Sequence, residues 1–253
     1  MSQRIDGGGR SPTIGVLKLD TRFERFIGDI GNPGSLTCPV LMETVSGATA
    51  DMVTGLTDER LLQPFVDTGQ RLIDRGAHAI TTTCGFLVLY QRQLAAALSV
   101  PVATSSLLQI PLAQALLPPG KRVGVITFDA TRLGPHMLRA ANAPADTPVA
   151  GLAADSPTYQ DIIGRGRPTT SEEREAASLA AADELRARVD ELGAVVVECT
   201  NLAPYSTAIA DRLGMPVYDT ITLVEWLATA VRPHVYEASR SLRRTSGSVT
   251  PRS

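Results

Sequence analysis

The chain has 253 residues, 43% of them hydrophobic, and a formal net charge of −2. This is enough apolar material for one large domain or two smaller ones, while the nearly balanced charge excludes a strongly basic nucleic-acid-binding surface. No apolar run approaches the roughly 18–20 residues that a membrane-spanning helix needs, so we expect neither a nucleic-acid partner nor a membrane partner.

The predicted elements alternate between short apolar runs and longer helical segments. In the first half we predict strands at 13–19, 38–45, 78–83 and 100–104, and helices near 58–75, 88–98 and 106–116. In the second half we predict strands at 122–128, 194–199 and 215–218, and helices near 130–141, 171–192, 204–213 and 221–231. Continuous apolar runs such as VVV at 195–197 are typical of strands that are buried on both faces of a parallel sheet.

The order of motifs repeats along the chain. Both halves contain a strand that ends in Asp, a strand that ends in Cys and a strand that begins with Pro-Val. The spacing from Cys84 to Cys199 is 199 − 84 = 115 residues, and the spacing from Pro101 to Pro216 is 216 − 101 = 115 residues. A period this long indicates a duplicated domain rather than a solenoid.

We therefore predict an α/β fold with two similar Rossmann-like or flavodoxin-like lobes, mainly parallel sheets and an active site between the lobes. The first lobe spans 13–117, with part of the C-terminal segment available to pack on it, and the second spans 118–235. Residues 1–12 lack the apolar segment of a secretory signal, and residues 239–253 are basic and serine-rich. We interpret both stretches as flexible tails.

The three cysteines, Cys38, Cys84 and Cys199, are too few for a disulfide framework in a chain of this length. A reducing cytoplasm is therefore the expected location. The histidines lie far from one another and from the cysteines in sequence, so no metal site is expected. Cys38 has no counterpart in the other half, and we interpret it as structural.

Cys84 and Cys199 end equivalent predicted strands. Ligands of parallel α/β sheets lie beyond the carboxyl ends of the strands, so two facing lobes would bring both thiols to one cleft from opposite sides. Such a pair can remove a proton from one face of a carbon and return one to the other face. A helix N-terminus after each cysteine would lower its pKa. The alternative is that each cysteine is a small buried hydrophobe.

The motifs TTTCG at 81–85 and VECTN at 197–201, with GVLKLDTRF at the first strand, resemble the aspartate/glutamate/hydantoin racemase superfamily. The resemblance covers residues 13–231. It implies a cofactor-independent racemase or isomerase in which Cys84 and Cys199 are the acid/base pair. It further implies that Thr200 and nearby backbone N–H groups hold the carboxylate of the substrate, and it is compatible with a homodimer or larger homo-oligomer.

One departure from the family pattern concerns the residue after the first cysteine. Amino-acid racemases resembling this chain have Asn-Thr there, whereas this chain has Gly85-Phe86. We therefore expect a more apolar pocket on this side, or a pocket that uses Thr82 and Thr83. An ordinary glutamate racemase is not expected.

Other polar residues near the predicted strand ends complete the candidate site. Asp20 and Asp129 end equivalent strands and could bind a cation or orient a proton donor, or cap the following turn. Thr200 and Asn201 offer donors at a predicted helix start, where anions are favoured. The candidate substrate-binding residues are Asp20, Thr82, Thr83, Gly85, Asp129, Thr200 and Asn201.

Three further sequence features bear on the candidate site. Glu198 precedes Cys199, so along a strand its side chain should point away from the thiol unless the strand has already ended. Arg165 or Arg167 could reach an anionic substrate. The Gly- and Pro-rich run 28–35 reads as a connector or as a lid over the cleft.

The function predicted from the sequence is a cofactor-independent racemase or epimerase that acts on a small amino acid or derivative, such as aspartate, glutamate or a hydantoin. Its substrate would be a small carboxylate or amide. Two alternatives stay open at this point. One is a maleate-type cis-trans isomerase with a cysteine nucleophile, and the other is a catalytically silent small-molecule binding protein.

Overall fold

The structure is a computed structural model that describes residues 11–21, 23–49, 52–53 and 61–233. Most of the two predicted tails, at 1–10 and 239–253, and the first residues of the helix predicted from 58 lie outside the described residues. Within the described ranges, no helix is both long enough and apolar enough to cross a membrane.

Eight strands in the described part of the chain form two four-stranded, fully parallel sheets. The first sheet contains β1 (Ile14–Lys18), β2 (Val40–Thr44), β3 (Ala79–Thr82) and β4 (Val102–Ala103), and the second contains β5 (Arg122–Thr127), β6 (Val149–Gly151), β7 (Leu192–Val197) and β8 (Val217–Tyr218). Their spatial orders are β2-β1-β3-β4 and β6-β5-β7-β8, so the two lobes share one topology. The predicted two-lobed α/β class is confirmed.

Helices flank both sheets. The α-helices of the described residues are α1 (Leu62–Asp74), α2 (Gln91–Ala97), α3 (Ile110–Leu116), α4 (Pro135–Ala140), α5 (Pro157–Ile162), α6 (Ser171–Arg188), α7 (Ser206–Leu213) and α8 (Thr220–Val231). Short 3₁₀ helices span Pro33–Ser35, Gly85–Tyr90, Ser106–Gln109 and Ala203–Tyr205. Helix α6 begins with a capping box in which the side chains of Thr170 and Glu173 satisfy each other's backbone N–H groups.

Each predicted strand and helix has a counterpart in the structure, but the sequence predicts no element between residues 142 and 170. Residues 142–170 contain β6 and α5, neither of which was predicted. Strand β6 has only three residues, too few for a hydrophobic pattern to identify it. The helix predicted at 130–141 is confined to Pro135–Ala140, because Asp129 and the following residues form a turn first.

The central strands β1, β3, β5 and β7 are almost completely buried. Helices cover both faces of each sheet, which is why these strands read as continuous apolar runs. One contiguous hydrophobic cluster includes residues of both lobes, among them Leu17, Phe86, Phe128 and Val196. The lobes therefore share a core.

The C-terminal helix α8 crosses from the second lobe to the first. Its Leu223, Val224 and Leu227 pack against Ile14 and Val16 of β1 in a second hydrophobic cluster. The helix is anchored at its start by Asp219, whose side chain caps Thr222 and whose carbonyl accepts a hydrogen bond from the first lobe's Gln109 at 2.8 Å. Cys38 is half-buried against this second cluster.

Three hydrogen bonds tie the lobes together at the carboxyl ends of the strands. Thr200 Oγ1 donates to the carbonyl of Thr83 at 3.1 Å, and Ser106 Oγ donates to the carbonyl of Val197 at 2.8 Å. Arg174 of α6 donates to the carbonyl of Glu24 at 3.0 Å. The lobes are thus fixed against each other where ligands of parallel sheets bind.

Candidate active site

A cleft between the lobes lies beyond the carboxyl ends of β1, β3, β5 and β7. Both Cys84 and Cys199 line it. Each cysteine comes directly after a central strand, by two residues at most, and precedes a 3₁₀ helix. The equivalent positions of the two residues in the two lobes bring the thiols to one cleft, as the repeat predicts.

The surroundings of the two sulfurs are alike in one respect. The Cys84 sulfur accepts a hydrogen bond from the backbone N–H of Phe86, and the Cys199 sulfur accepts one from the backbone N–H of Asn201. In both cases the donor lies two residues after the cysteine. The Asn201 side-chain amide adds a contact, with its Nδ2 atom 3.7 Å from the Cys199 sulfur.

Burial determines the protonation of both thiols. Desolvation raises the pKa of Cys84 far above its ordinary value, and the Glu198 carboxylate raises it further. Desolvation and then Glu198 also raise the pKa of Cys199, to about 12. The sequence predicts that a helix N-terminus lowers these pKa values, and this prediction is wrong. The backbone N–H donors do lower them, but desolvation raises them by a larger amount. Both residues are thiols at neutral pH in the unliganded cleft.

Glu198 also lines the cleft. Strand β7 ends at Val197, so the alternation of a strand no longer applies and Glu198 does not turn away from Cys199. Its Oε2 atom accepts a hydrogen bond from Thr127 Oγ1 at 2.6 Å. Desolvation raises the pKa of Glu198 to about 7, in spite of this hydrogen bond.

Gly85 leaves the space that Glu198 occupies. A Cβ atom at position 85 would lie 2.8 Å from the carboxyl carbon and 2.8 Å from the backbone oxygen of Glu198. Real Cβ contacts essentially never come this close. The departure from the racemase pattern after the first cysteine is therefore coupled to an acidic residue before the second one.

The insertion that follows β1, residues 23–39, supplies a cation and an aromatic ring to the cleft. Phe23 and Arg25 line it, and Arg25 is held by a buried ion pair with Asp29 at 2.9 Å. The Arg25 Nε atom is buried and has no hydrogen-bond partner among the described residues. This atom lies against Gly31, where a Cβ atom would be 2.7 Å from it.

The same insertion is packed firmly onto the second lobe. Gly28 has φ +102°, and a Cβ atom there would lie 2.7 Å from the Cα atom of Pro204. The Arg174 guanidinium lies over the Phe26 ring, 4.9 Å from its centroid. The run 28–35 is therefore a structured connector with a 3₁₀ helix, and its lid interpretation finds no support in these contacts.

The predicted polar residues divide into two groups. Thr83, Gly85, Thr200 and Asn201 line the cleft. The hydroxyls of Thr83 and Thr200 are already engaged, because Thr83 Oγ1 accepts from the backbone N–H of Leu19 at 3.0 Å and Thr200 donates across to Thr83. Asn201 differs, since its buried Oδ1 atom has no hydrogen-bond partner in the described residues.

Three other predicted residues lie outside this cleft. Thr82 bonds the carbonyl of Thr104 and belongs to the wall of the sheet. Asp20 lines an adjoining groove. The Asp129 carboxylate accepts hydrogen bonds from Thr131 and Tyr159. Although desolvation acts in the opposite direction, these hydrogen bonds hold the pKa of Asp129 below its ordinary value.

Arg165 and Arg167 do not line the cleft, so the structure does not support them as anion-binding residues. Arg167 instead pairs with Glu173 on the surface. In the described part of the chain, no group of three His, Cys, Asp or Glu side chains is arranged to hold a metal ion. The charged residues of the cleft are Arg25, Arg132 and Glu198.

Comparison by sequence identifies relatives of one activity. The chain is 28% identical over 243 residues to a dimethylsulfoniopropionate lyase of Durusdinium sp. clade D, covering 89% of this chain and 79% of that protein. It is 26% identical over 220 residues to dimethylsulfoniopropionate lyase 3 of Emiliania huxleyi, covering 83% of this chain and 57% of the relative, so a large part of that protein has no counterpart here. No protein-family model matches the chain.

Comparison by structure identifies the architecture. A sulfate-associated mutant of arylmalonate decarboxylase matches with TM-score 0.59 and 16% identity over 88% of this chain and 97% of the other. The aspartate racemase of Picrophilus torridus matches with TM-score 0.54 and 13% identity over 91% and 98%. The chain therefore shares the two-lobed α/β fold of these two enzymes. At this identity the likeness establishes the fold and leaves the reaction open.

Arg25 and a role for Glu198 in the cleft were missed from the sequence. Arg25 sits in a Gly- and Pro-rich insertion, and only the fold of that insertion brings it to the thiols. The sequence does contain a signal for Glu198, because a glycine follows one cysteine and an acid precedes the other. The signal can be interpreted only once the structure shows that Gly85 and Glu198 are in contact.

Proposed function

We propose that this protein is a carbanion-forming enzyme, in which a cysteine of the cleft removes a proton from the carbon next to a carboxylate. The observation that carries the proposal is the convergence of Cys84 and Cys199, from equivalent strand ends, on one buried cleft. The Arg25 and Arg132 guanidinium groups that line the same cleft support an anionic ligand, and the unpartnered Asn201 Oδ1 atom supports a ligand that also has a donor group.

The first candidate reaction is the β-elimination of dimethylsulfoniopropionate or a close analogue. Support comes from the relatives of this chain that carry this activity in their names. The base removes the α-proton, and the electrons of the C–H bond form the double bond. The carbon–sulfur bond breaks, and its electron pair stays on sulfur. The products are dimethyl sulfide, acrylate and one proton, with no oxidant or reductant required.

Cys199 is the favoured base in this reaction. Its sulfur has two donors, the Asn201 backbone N–H and the Asn201 side-chain amide, that stabilise a thiolate. Because both thiols are protonated in the unliganded cleft, thiolate formation requires an added cation or donor. A cationic substrate would supply a positive charge beside the sulfur, which favours the thiolate.

The second candidate is racemisation of a small amino acid or derivative, as the sequence predicts. The unpartnered Asn201 Oδ1 favours it, because a substrate ammonium would donate to such an acceptor. In that reaction Cys84 would return a proton to the face opposite Cys199. The two candidates share the first proton transfer and differ in whether a leaving group departs.

One experiment separates these candidates. The protein is incubated in D₂O with dimethylsulfoniopropionate, with single enantiomers of aspartate, glutamate and hydantoins, and with maleate, and each reaction is followed by ¹H NMR. Formation of acrylate and dimethyl sulfide supports the lyase, and deuterium exchange with inversion supports the racemase. Conversion of maleate to fumarate points to the cysteine-nucleophile isomerase.

The control variant is Cys38→Ser, which removes a free thiol that does not line the cleft. Its activity should equal that of the wild type, whereas Cys199→Ser should lose turnover. No turnover and no proton exchange with any of these compounds would contradict the proposal and favour a silent binding protein. Equal losses of activity in Cys38→Ser and Cys199→Ser would contradict the assignment of the base to the cleft.

A further inference from the structure

Glu198 is a buried carboxyl group that the proton transfer described above does not use. Glu198 is 2% exposed to solvent, and it lines the cleft together with both cysteines. It forms no ion pair with any Lys or Arg of the described residues. A buried carboxylate without a cationic partner is unfavourable, so a ligand that supplies the cation would relieve that cost.

Two aromatic residues accompany this carboxylate in the lining of the cleft. Phe86 and Phe128 both line the cleft, with ring centroids 5.6 Å apart. Phe128 follows Thr127, whose hydroxyl holds Glu198 Oε2, and Phe86 follows Gly85, against which the Glu198 carboxyl group packs. Aromatic faces attract methylated cations, which have no N–H or O–H groups that would need acceptors.

The opposite charge is also present in the cleft. Arg25 and Arg132 line it, where they pair with Asp29 and Asp129, and a guanidinium group has donors enough to bind a ligand carboxylate as well. One molecule that carries both a carboxylate and a methylated cation would therefore meet groups of opposite charge in the cleft.

We propose that Glu198, flanked by Phe86 and Phe128, forms a binding subsite for the methylated cationic group of a zwitterionic carboxylate substrate. This inference rests on the proposed function and specifies its substrate class. It gives Glu198 a role in binding, and the chemistry stays with the cysteines. Occupation of the subsite neutralises the carboxylate that disfavours both thiolates, which couples substrate binding to formation of the base.

A pair of isosteric ligands tests the subsite without any reaction. Trimethylammoniopropionate and 4,4-dimethylpentanoate have the same shape and the same carboxylate, and only the former carries the positive charge. Their dissociation constants are measured by titration calorimetry at pH 8. We expect the wild-type protein to bind the cationic ligand at least about tenfold more tightly. Equal affinities, or no measurable binding of either ligand, would overturn the proposal.

The decisive variant is Glu198→Gln, which keeps the shape of the side chain and removes its charge. The preference for the cationic ligand should fall to within about threefold of unity. The matched control is Glu184→Gln, which removes an exposed carboxylate on α6 and should leave the preference unchanged. A preference that survives Glu198→Gln would refute the assignment.

A measurement on the wild-type protein covers the case in which Glu198→Gln fails to fold. Because the pKa of Glu198 is raised to about 7, the preference should be present at pH 8 and largely lost at pH 5. The charged and titratable groups that act on the same cleft, besides Glu198, are Cys84, Cys199, Arg25 with its partner Asp29, and Arg132 with its partner Asp129. Both thiols stay protonated across this range in the unliganded protein. A preference that does not change between these pH values would count against Glu198.

A third ligand distinguishes the kind of cation. β-Alanine carries a primary ammonium in place of the methylated group, and we expect it to bind less tightly than trimethylammoniopropionate. Tighter binding of β-alanine would overturn the assignment to a methylated cation and favour the amino-acid candidate. These binding results do not depend on turnover, so a protein that keeps the charge preference but does not cleave dimethylsulfoniopropionate would contradict the proposed reaction alone.

Discussion

The two strand-end sites of the cleft have the same backbone and different side chains. Cys84 and Cys199 follow equivalent strands, and each sulfur accepts a hydrogen bond from the backbone N–H two residues later. Cys84 is followed by Gly85 and Phe86, which bring no polar side chain, whereas Cys199 lies between Glu198 and Thr200. The shared topology therefore positions the two thiols symmetrically, and their neighbours make the cleft asymmetric.

The two lobes also contribute different charged residues to the cleft. The first lobe contributes Arg25 from its insertion, and the second contributes Arg132 and, from the end of β7, Glu198. The only carboxylate among the described residues that line the cleft therefore belongs to the second lobe.

The largest expected effect comes from the two cysteines. Cys199→Ser should lower the rate of α-proton removal by about 1,000-fold, because a general base contributes roughly 100- to 10,000-fold. Cys84→Ser should lower elimination by much less, about tenfold, because elimination needs one base only. The rates are measured as acrylate formation with dimethylsulfoniopropionate. Equal, severe losses in both variants would indicate that the two sites are functionally equivalent, as in a racemase.

The next effect concerns buried ion pairs, of which the described residues of each lobe contain one. Arg174 pairs with Asp161 in the second lobe and also reaches the first-lobe carbonyl of Glu24. Arg174→Met should lower the free energy of unfolding by about 3–5 kcal/mol, because it leaves a buried carboxylate without its cation. Urea denaturation measures this change.

The matched control for this prediction is an exposed ion pair that joins the same helix, α6, to α7. Arg212→Met breaks the bond to Asp183, and both of these side chains are about half exposed. An exposed pair contributes at most about 1 kcal/mol. Comparable losses in Arg174→Met and Arg212→Met would mean that the contact of α6 with the insertion does not stabilise the arrangement of the lobes.

The free energy of unfolding should depend on pH because of Glu198. The residues next to Cys84 in the sequence, Thr83 and Gly85, have no carboxylate that could add a similar dependence. The pKa of Glu198 is raised from 4.5 to about 7, so the folded state binds a proton more readily than the unfolded state does. Stability from this group is fully present below pH 4.5 and is lost as the pH rises through 7. The loss is on the order of 3 kcal/mol.

The measurement is the difference in unfolding free energy between the wild type and Glu198→Gln from pH 4 to pH 8. Taking the difference cancels the contribution of Asp29, whose pKa burial also raises. The wild type should lose stability relative to the variant as the pH rises. A difference that is constant across this range would show that Glu198 has an ordinary pKa.

The sequence was sufficient to predict the two-lobed fold and the positions of the two thiols at equivalent strand ends. Buried strands such as β1 and β7 leave continuous apolar runs, and the 115-residue spacing identifies Cys84 and Cys199 as equivalent. The charges of the cleft were out of reach, because they depend on contacts between distant segments. Arg25 lines the cleft because of the way the insertion after β1 folds, and Glu198 lines it because β7 ends one residue earlier.

The smallest predicted effect concerns the contact between Gly85 and Glu198, which joins the two strand-end sites. Gly85→Ala should lower the free energy of unfolding by about 1–3 kcal/mol, because the added Cβ atom overlaps the Glu198 side chain and carbonyl. Part of this loss should be recovered when Glu198→Ala is combined with it, since the smaller side chain leaves room for the Cβ atom. A double-mutant cycle measures the coupling between the two positions. A coupling near zero would mean that Gly85 and Glu198 are independent, whereas a coupling above about 0.5 kcal/mol would tie the absence of a polar side chain after Cys84 to the acid before Cys199.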